Sequence, residues 1–235
     1  MATVVLVRHG RTAANASGIL AGRAPGMHLD EHGVTQAERT AQRLADLPLR
    51  AVVSSPLERT VSTADAIVQG QASKGRDLVL QKDAAFVECD YGNWTGRSLK
   101  ELTKEPAWKQ VQSHPSSVTF PSGESMMEMQ LRAVRGIRYW NEIIGPDSIY
   151  AVVSHGDVIK AILADALGMH LDHFQRIMVD PCSISVIEYA PLRPFVSRTN
   201  DNGEDLSALA AKFSRPPKKR RAKSSDAPVG GGAGA

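Results

Sequence analysis

The sequence predicts an α/β protein: a three-layer α/β/α sandwich with a mostly parallel central sheet and a lid-like excursion over the carboxyl ends of its strands. Three observations carry this expectation. Short runs rich in Val, Ile and Leu recur along the chain, as in "VVLV" (4–7) and "YAVV" (150–153). Amphipathic helical patterns separate them, which is the rhythm of α/β folds. The runs are continuously apolar rather than alternating, as strands covered on both faces must be.

Taken in order, the strand-like runs are 3–7, 51–54, 78–81, 149–154 and 183–189. Val34, Ala37, Ala41, Leu44 and Ala45 repeat at helical spacing and mark a first buried helix face. Leu57, Val61, Ala64, Ile67 and Val68 mark a second. Met129, Ala133, Ile137, Trp140 and Ile144 mark a third, and Val158, Ile162, Ala166 and Leu167 a fourth. Ser55-Pro-Leu-Glu58 reads as a capping box with Pro56 at the first helical position. Ser122 or Gly123 is expected to cap the third helix, with Glu124 and Ser125 beginning it. "PGMHLDEHG" (25–33) reads as a loop, so His28 and His32 do not share a helix face.

Residues 90–123 break the rhythm. They carry Tyr91, Trp94, Trp108 and the Pro- and Gly-containing "HPSSVTFPSG" (114–123), and are expected to form the excursion that sets selectivity. Residues 1–199 are expected to form one catalytic domain. Residues 200–235, a basic segment ending in Gly and Ala, are expected to be a disordered tail.

Composition excludes several classes. With 42% hydrophobic and 23% charged residues in 235, the chain has ordinary globular composition. No run of about 18 apolar residues predicts a membrane span. No basic stretch precedes an apolar one at the N-terminus, so no signal peptide is expected. Cys89 and Cys182 are too few for a disulfide framework and fit reduced thiols in a cytoplasmic protein. The net charge of +3 is unevenly spread. From Ser214 onward six Lys and Arg against Asp226 give +5, leaving −2 for the rest. A weakly acidic body argues against a nucleic-acid-binding domain. The "KKRR" run (218–221) is read as solubilising.

The chemistry concentrates at strand ends. His9 follows "VVLVR" and His155 follows "AVVS", each with a glycine next. In open α/β sheets the ligand crevice lies at the carboxyl ends of the strands, so these distant histidines can converge. Arg8 ends the first strand, and Arg59 falls in the first helical turn after the second. Two guanidinium groups and two imidazoles suit a phosphoryl group, whose oxygens accept from cationic donors while a neutral imidazole attacks phosphorus. His170 and His173 could share a helix turn, but no carboxylate or cysteine set completes a metal site. No phosphate-cradling Walker loop and no cofactor signature is present.

Five segments, "LVRHGRTAAN" (6–15), "VVSSPLERTVSTA" (52–64), "VECDYGNWTG" (87–96), "GES" (123–125) and "VVSHGDVIKAIL" (152–163), come in the order found in one family. The chain resembles the histidine phosphatase, or phosphoglycerate-mutase-like, superfamily over about residues 3–190, and within it an actinobacterial phosphomutase/acid phosphatase group. The resemblance implies His9 as the nucleophile that becomes phosphohistidine, with Arg8, Arg59 and His155 binding the transferred group. It implies Glu88 as proton donor to the leaving oxygen and then base for water. Thr12, Asn15, Arg23, Tyr91, Glu124 and Ser125 would border the phosphate or substrate.

The resemblance also separates two activities. The mutase branch has an arginine after the acid, where this chain has Cys89, and a paired Arg-Arg in its lid. Here Arg97, Lys100, Lys104 and Lys109 stand apart, so hydrolysis of a small phosphorylated metabolite without metal or cofactor is the expected activity. The alternatives are a cofactor-primed phosphoglycerate mutase and a non-catalytic binder of phosphorylated ligands. "RHGRT" (8–12) has Arg11 where many members have Glu, and its role is open. Exposed sheet edges and apolar lid residues are compatible with a homodimer.

Overall fold

The first strand of the described residues lies in the middle of the sheet. β1 (Ala2–Arg8) is buried along nearly all its length. It pairs in parallel with β4 (Ser148–Ser154) on one side and antiparallel with β5 (Ile184–Tyr189) on the other. β2 (Leu49–Ser54) lies parallel beside β4, and the short β3 (Leu80–Lys82) parallel beside β2. β6 (Pro194–Asp201) closes the other edge antiparallel to β5, so the order is β3-β2-β4-β1-β5-β6. This is the computed structural model of the chain, and it describes residues 2–203. Asn200 and Asp201, the first residues of the expected tail, belong to β6, and residues 204–235, the basic run among them, lie outside the described residues.

The sheet is mixed but mostly parallel, as the apolar runs predict. β6 is the strand that the hydrophobic pattern did not predict. Its sequence "PFVSRTND" begins with proline, holds few apolar residues and is largely exposed, as an edge strand can be.

Helices cover both faces. α1 (Ala13–Ser17) follows β1, and α2 (Glu31–Leu44) and α3 (Glu58–Ala72) pack on one face. α6 (Met126–Ile144) and α7 (Gly156–Ala166) pack on the other, where α7 is buried almost throughout. In the excursion, α4 (Leu99–Leu102) and α5 (Trp108–Ser113) are short helices hung on an aromatic cluster. Trp94 stacks on Trp108 at 6.2 Å, and Tyr91 and Trp94 meet Phe120 edge-on at 5.0 and 5.3 Å. The excursion is therefore part of the main core, continuous with Leu6 and Val152 of the sheet. None of the described helices is long and apolar enough to cross a membrane.

Three helix starts differ from expectation. α2 begins at Glu31, so His32 and Gly33 are in its first turn rather than in a loop; the Asp30 side chain caps it by accepting from Gly33 N at 2.7 Å. α3 begins at Glu58 with no side-chain cap. The expected box fails because its two members are engaged elsewhere: Ser55 Oγ meets His155 Nε2 at 2.8 Å, and Glu58 Oε1 accepts from Gly26 N at 3.0 Å. α6 is capped by Ser125 itself, whose hydroxyl accepts from Glu128 N while Glu128 accepts in return. Ser125-Met-Met-Glu128 was the capping box to read.

The burial contrast has a measurable consequence. Ile162 is fully buried in α7, whereas Val34 is 45% exposed on α2. Ile162→Ala should lower unfolding free energy by about 2–5 kcal/mol, and Val34→Ala by under about 0.5 kcal/mol, in urea titrations of the two variants.

Candidate active site

The carboxyl ends of β1, β2 and β4 bring four side chains together. Arg8 is the last residue of β1, and its Nη1 donates to Val179 O at 2.8 Å. His9 follows, with Gly10 behind it. A Cβ on Gly10 would fall 2.5 Å from the Gly33 carbonyl oxygen, so the turn admits only glycine there. Gly10 N donates to Thr63 Oγ1 of α3 at 3.1 Å, which fixes the turn against the helix that carries Arg59.

Arg59 lies between the two histidines. Its Nε donates to His9 Nε2 at 3.3 Å and its Nη2 meets His155 Nδ1 at 3.2 Å. A guanidinium has only donors, so both ring nitrogens facing it are unprotonated. The other nitrogens then carry the hydrogens. His9 Nδ1 donates to Gly10 O at 2.8 Å, and His155 Nε2 donates to Ser55 Oγ at 2.8 Å. The imidazole rings lie 5.2 Å apart. Both imidazoles are held well below the usual histidine range, by burial first and by the nearby Arg59 charge next. Two neutral histidines and two guanidinium groups thus occupy one buried site. Arg59 Nη2 also donates to Gly22 O at 2.8 Å, and Arg59 Nη1 is buried without a hydrogen-bond partner.

Glu88 completes the cluster. It is only 3% exposed, and its Oε2 lies 4.0 Å from His155 Nδ1. Its Oε1 accepts from Cys89 N at 2.9 Å. Burial, then the Asp157 charge, push its carboxyl up to about 7, against the opposing pull of Arg59 and Arg8. Burial also lowers the Arg8 guanidinium to about 10.

The residues around Glu88 hold it by its backbone. Arg23 Nε and Arg132 Nη2 donate to Glu88 O at 2.8 and 3.1 Å. Glu124 ties the two arginines together, accepting from Arg23 Nη2 at 2.8 Å and from Arg132 Nη2 at 2.6 Å. The same carboxylate accepts from Asp90 N at 2.9 Å. Behind them, Tyr91 is buried and its hydroxyl donates to Asp157 Oδ2 at 2.7 Å. Lys160 Nζ stands 3.8 Å from Asp157 Oδ1 and donates to Gln175 Oε1 at 2.9 Å.

The expected site residues therefore divide. Arg8, His9, Arg59, Glu88 and His155 meet at one point. Arg23, Tyr91 and Glu124 surround Glu88, with the polar groups described above engaged by protein. Thr12 and Asn15 form the capping box that starts α1, just beyond His9. Ser125 is spent on the cap of α6. Arg11 Nε pairs with Asp30 Oδ2 at 2.8 Å and so braces the start of α2. Cys89 is buried, with Sγ 3.9 Å from Met126 Sδ.

Sequence reasoning missed Ser55, Arg132 and Asp157. Asp157 could have been found from its place in "SHGD", two residues past His155 and in the first turn of α7. Arg132, in the second turn of α6, reaches back past the Ser125 cap to Glu124, a spacing with no motif attached. Among the described residues no group of three His, Cys, Asp or Glu could hold a metal ion.

A model of the histidine phosphatase superfamily (branch 1) matches residues 4–202. The chain belongs to the histidine phosphatase superfamily. Relatives of the chain carry two kinds of name. "Phosphoserine phosphatase 1" of Hydrogenobacter thermophilus is 31% identical over 211 residues, covering 85% of this chain and 92% of the relative. "Probable phosphoglycerate mutase GpmB" of Cronobacter sakazakii is 33% identical over 191 residues, 80% and 86% of the two chains. Among solved structures, the alpha-ribazole phosphatase of Shigella flexneri superposes with a TM-score of 0.73 at 26% identity, over 85% of this chain and 96% of that one.

The carboxyl of Glu88 should titrate near pH 7 in a carbon-13 NMR experiment on the intact protein. Asp157→Asn removes the neighbouring negative charge and should move the midpoint down. A midpoint near the ordinary glutamate value in both proteins would contradict the burial of this group.

Proposed function

We propose that the chain is a phosphomonoesterase that hydrolyses a small phosphorylated metabolite through a phosphohistidine on His9. The observation that carries this reading is the Arg59 bridge. It leaves His9 Nε2 as an unprotonated, buried lone pair that accepts from Arg59, with the charge of Arg8 nearby. A neutral imidazole of this tautomer is a nucleophile, and the donors are what an incoming phosphoryl group needs.

The chemistry runs in two displacements. His9 Nε2 attacks phosphorus, the N–P bond forms and the ester P–O bond breaks. Glu88 gives its proton to the leaving oxygen. Water then attacks the phosphohistidine while Glu88, now a carboxylate, takes a proton from it. The N–P bond breaks, and inorganic phosphate and the starting enzyme are restored. Arg8 and Arg59 hold the transferred oxygens in both steps, and His155, whose ring hydrogen goes to Ser55, orients Arg59 beside them. Arg59 shifts its Nε donor from the His9 lone pair to a phosphoryl oxygen as substrate enters, and Nη1 supplies a further donor. The raised carboxyl of Glu88 suits the task, because protonated donor and neutral nucleophile coexist up to about pH 7. Above that, kcat/KM falls as the proton is lost.

We assign support of Glu88 to Arg23 and Glu124, and support of Asp157 to Tyr91. Thr12 and Asn15 set the rim beyond His9. Hydrolysis is favoured over phosphoryl return because Cys89, not an arginine, follows the acid and is buried. Arg97 in the excursion is paired with Glu105 at 2.6 Å rather than with a second arginine. Mutase activity remains the second reading, because a relative at 33% identity bears that name. Phosphoserine is the first substrate to test, from the name of the Hydrogenobacter relative.

Incubation with a radiolabelled phosphomonoester and alkaline quenching should trap an acid-labile phosphoprotein, absent in His9→Ala. That variant should lose about three orders of magnitude or more in turnover, and Glu88→Gln about 10²–10⁴. Normal turnover by His9→Ala would overturn the mechanism. Isomerisation of 3-phosphoglycerate primed with bisphosphoglycerate, faster than phosphate release, would favour the mutase.

A further inference from the structure

We propose that Asn200, in the edge strand β6, is a positioning residue for Arg8, acting through the loop at 178–183. This rests on the reading of Arg8 as a ligand of the phosphoryl group.

The loop grips the end of β1 on several sides. Val179 O accepts from Arg8 Nη1 at 2.8 Å, and Ser183 O accepts from Arg8 N at 3.3 Å. Cys182 N donates back to Arg8 O at 3.1 Å and His9 O at 3.3 Å. Cys182 makes those contacts at φ 57, a left-handed conformation that side-chain-bearing residues adopt only when their surroundings hold them there. The carbonyl of Cys182 is in turn held by Thr40 Oγ1 of α2 at 3.0 Å. The guanidinium of Arg8 thus takes its direction from the carbonyl of residue 179, and the direction of that carbonyl depends on what fixes residue 180.

Residue 180 is fixed from β6. Asn200 Oδ1 accepts from Asp180 N at 2.6 Å, and Asn200 Nδ2 donates to Asp180 Oδ2 at 2.8 Å. One side chain therefore grips both the backbone and the carboxylate of the residue next to Val179. Asn200 N donates to Ser185 Oγ of β5 at 3.2 Å, so the clamp is anchored to the sheet as well. Asn200 itself stands at φ 51. Asparagine tolerates that conformation better than most residues, and its side chain can both donate and accept, so the position suits this residue type. Asp180 also places a carboxylate near buried Arg8, where a negative charge favours the guanidinium form.

The chain Asn200–Asp180–Val179–Arg8 is made of hydrogen bonds and one peptide, with no contact between Asn200 and the reacting atoms. A displacement of the clamp by a fraction of an ångström is enough to misalign the Arg8 fork on a phosphoryl oxygen.

The test uses the full chain and inorganic phosphate as the probe, with phosphate inhibition of p-nitrophenyl phosphate hydrolysis and direct phosphate binding as readouts. Asn200→Gly keeps the left-handed backbone accessible and removes the side chain. It should weaken phosphate binding and kcat/KM about tenfold or more. Asp180→Ala removes the carboxylate half of the clamp and leaves the Asp180 N–Asn200 Oδ1 bond, so it should weaken phosphate binding in the same direction but by less than Asn200→Gly. Arg43→Ala is the control. It breaks the Arg43–Asp201 pair at 2.6 Å, which also ties down the end of β6 but touches nothing in the 178–183 loop. It should leave phosphate binding unchanged.

Equal phosphate binding by wild type and Asn200→Gly overturns the inference alone. Equal losses in Asn200→Gly and Arg43→Ala also overturn it, because they reveal general anchoring of β6. A wild-type protein that binds no phosphate overturns the reading of Arg8 together with the inference. If Asn200→Gly does not fold, Asp180→Ala against Arg43→Ala decides by the same comparison.

Discussion

A guanidinium can give hydrogen bonds but cannot take them, and Arg59 stands between two imidazoles. That one constraint sets the protonation of both rings. Each histidine must turn a bare nitrogen toward Arg59 and send its hydrogen the other way, to Gly10 O or Ser55 Oγ. Protonating either inner nitrogen would set hydrogen against hydrogen beside a buried positive charge. The two rings are therefore kept neutral by geometry as well as by burial.

Burying two guanidinium groups costs several kcal/mol per ion, in order of magnitude, unless charge and hydrogen bonds compensate. The fold supplies both. Glu88 and Asp157 stand near Arg8, and the carbonyls of Val179 and Gly22 accept from Arg8 and Arg59. The same arrangement explains the unusual state of Glu88. Two positive charges pull its proton off, yet desolvation and the neighbouring Asp157 outweigh them. The backbone carbonyl of Glu88, held by Arg23 and Arg132, keeps that balance from changing through movement of the loop.

Much of the sheet and the centre of the site were legible in the sequence, for physical reasons. A strand buried on both faces must be continuously apolar, so β1, β2 and β4 announce themselves, and a polar pair after such a run stands out. Hence Arg8, His9 and His155 could be read together, with Arg59 one helical turn past another strand end. What stayed hidden follows from chemistry that leaves no periodic trace. β6 is an edge strand with one partner, so it needs no apolar face, and only its last two residues, Asn200 and Asp201, fall in the expected tail. The cap at Ser55 misled because a serine hydroxyl can serve a helix end or a distant imidazole equally well, and only tertiary structure chooses. Arg132 was invisible because its contacts reach residues far off in the chain. Tyr91 and Glu124 come from segments that the family pattern marks, whereas Arg23 lies in none of them and is tied to Glu88 only through the fold.

The placement of β1 bears on how the protein is made. β1 pairs with Ser148–Ser154 on one side and Ile184–Tyr189 on the other, both far later in the chain. It cannot find either neighbour until Arg59 and Glu88 have already been synthesised. At translation speeds of about 5–20 residues per second, "VVLV" waits for many seconds as a bare apolar segment with unpaired edges. Long-range pairing of this kind slows folding, since loop closure must be accomplished before the contacts that reward it. His9 is thus synthesised well before the loop near residue 180 that holds Arg8. Nascent chains stalled before residue 178 carry His9 but no partner loop for Arg8.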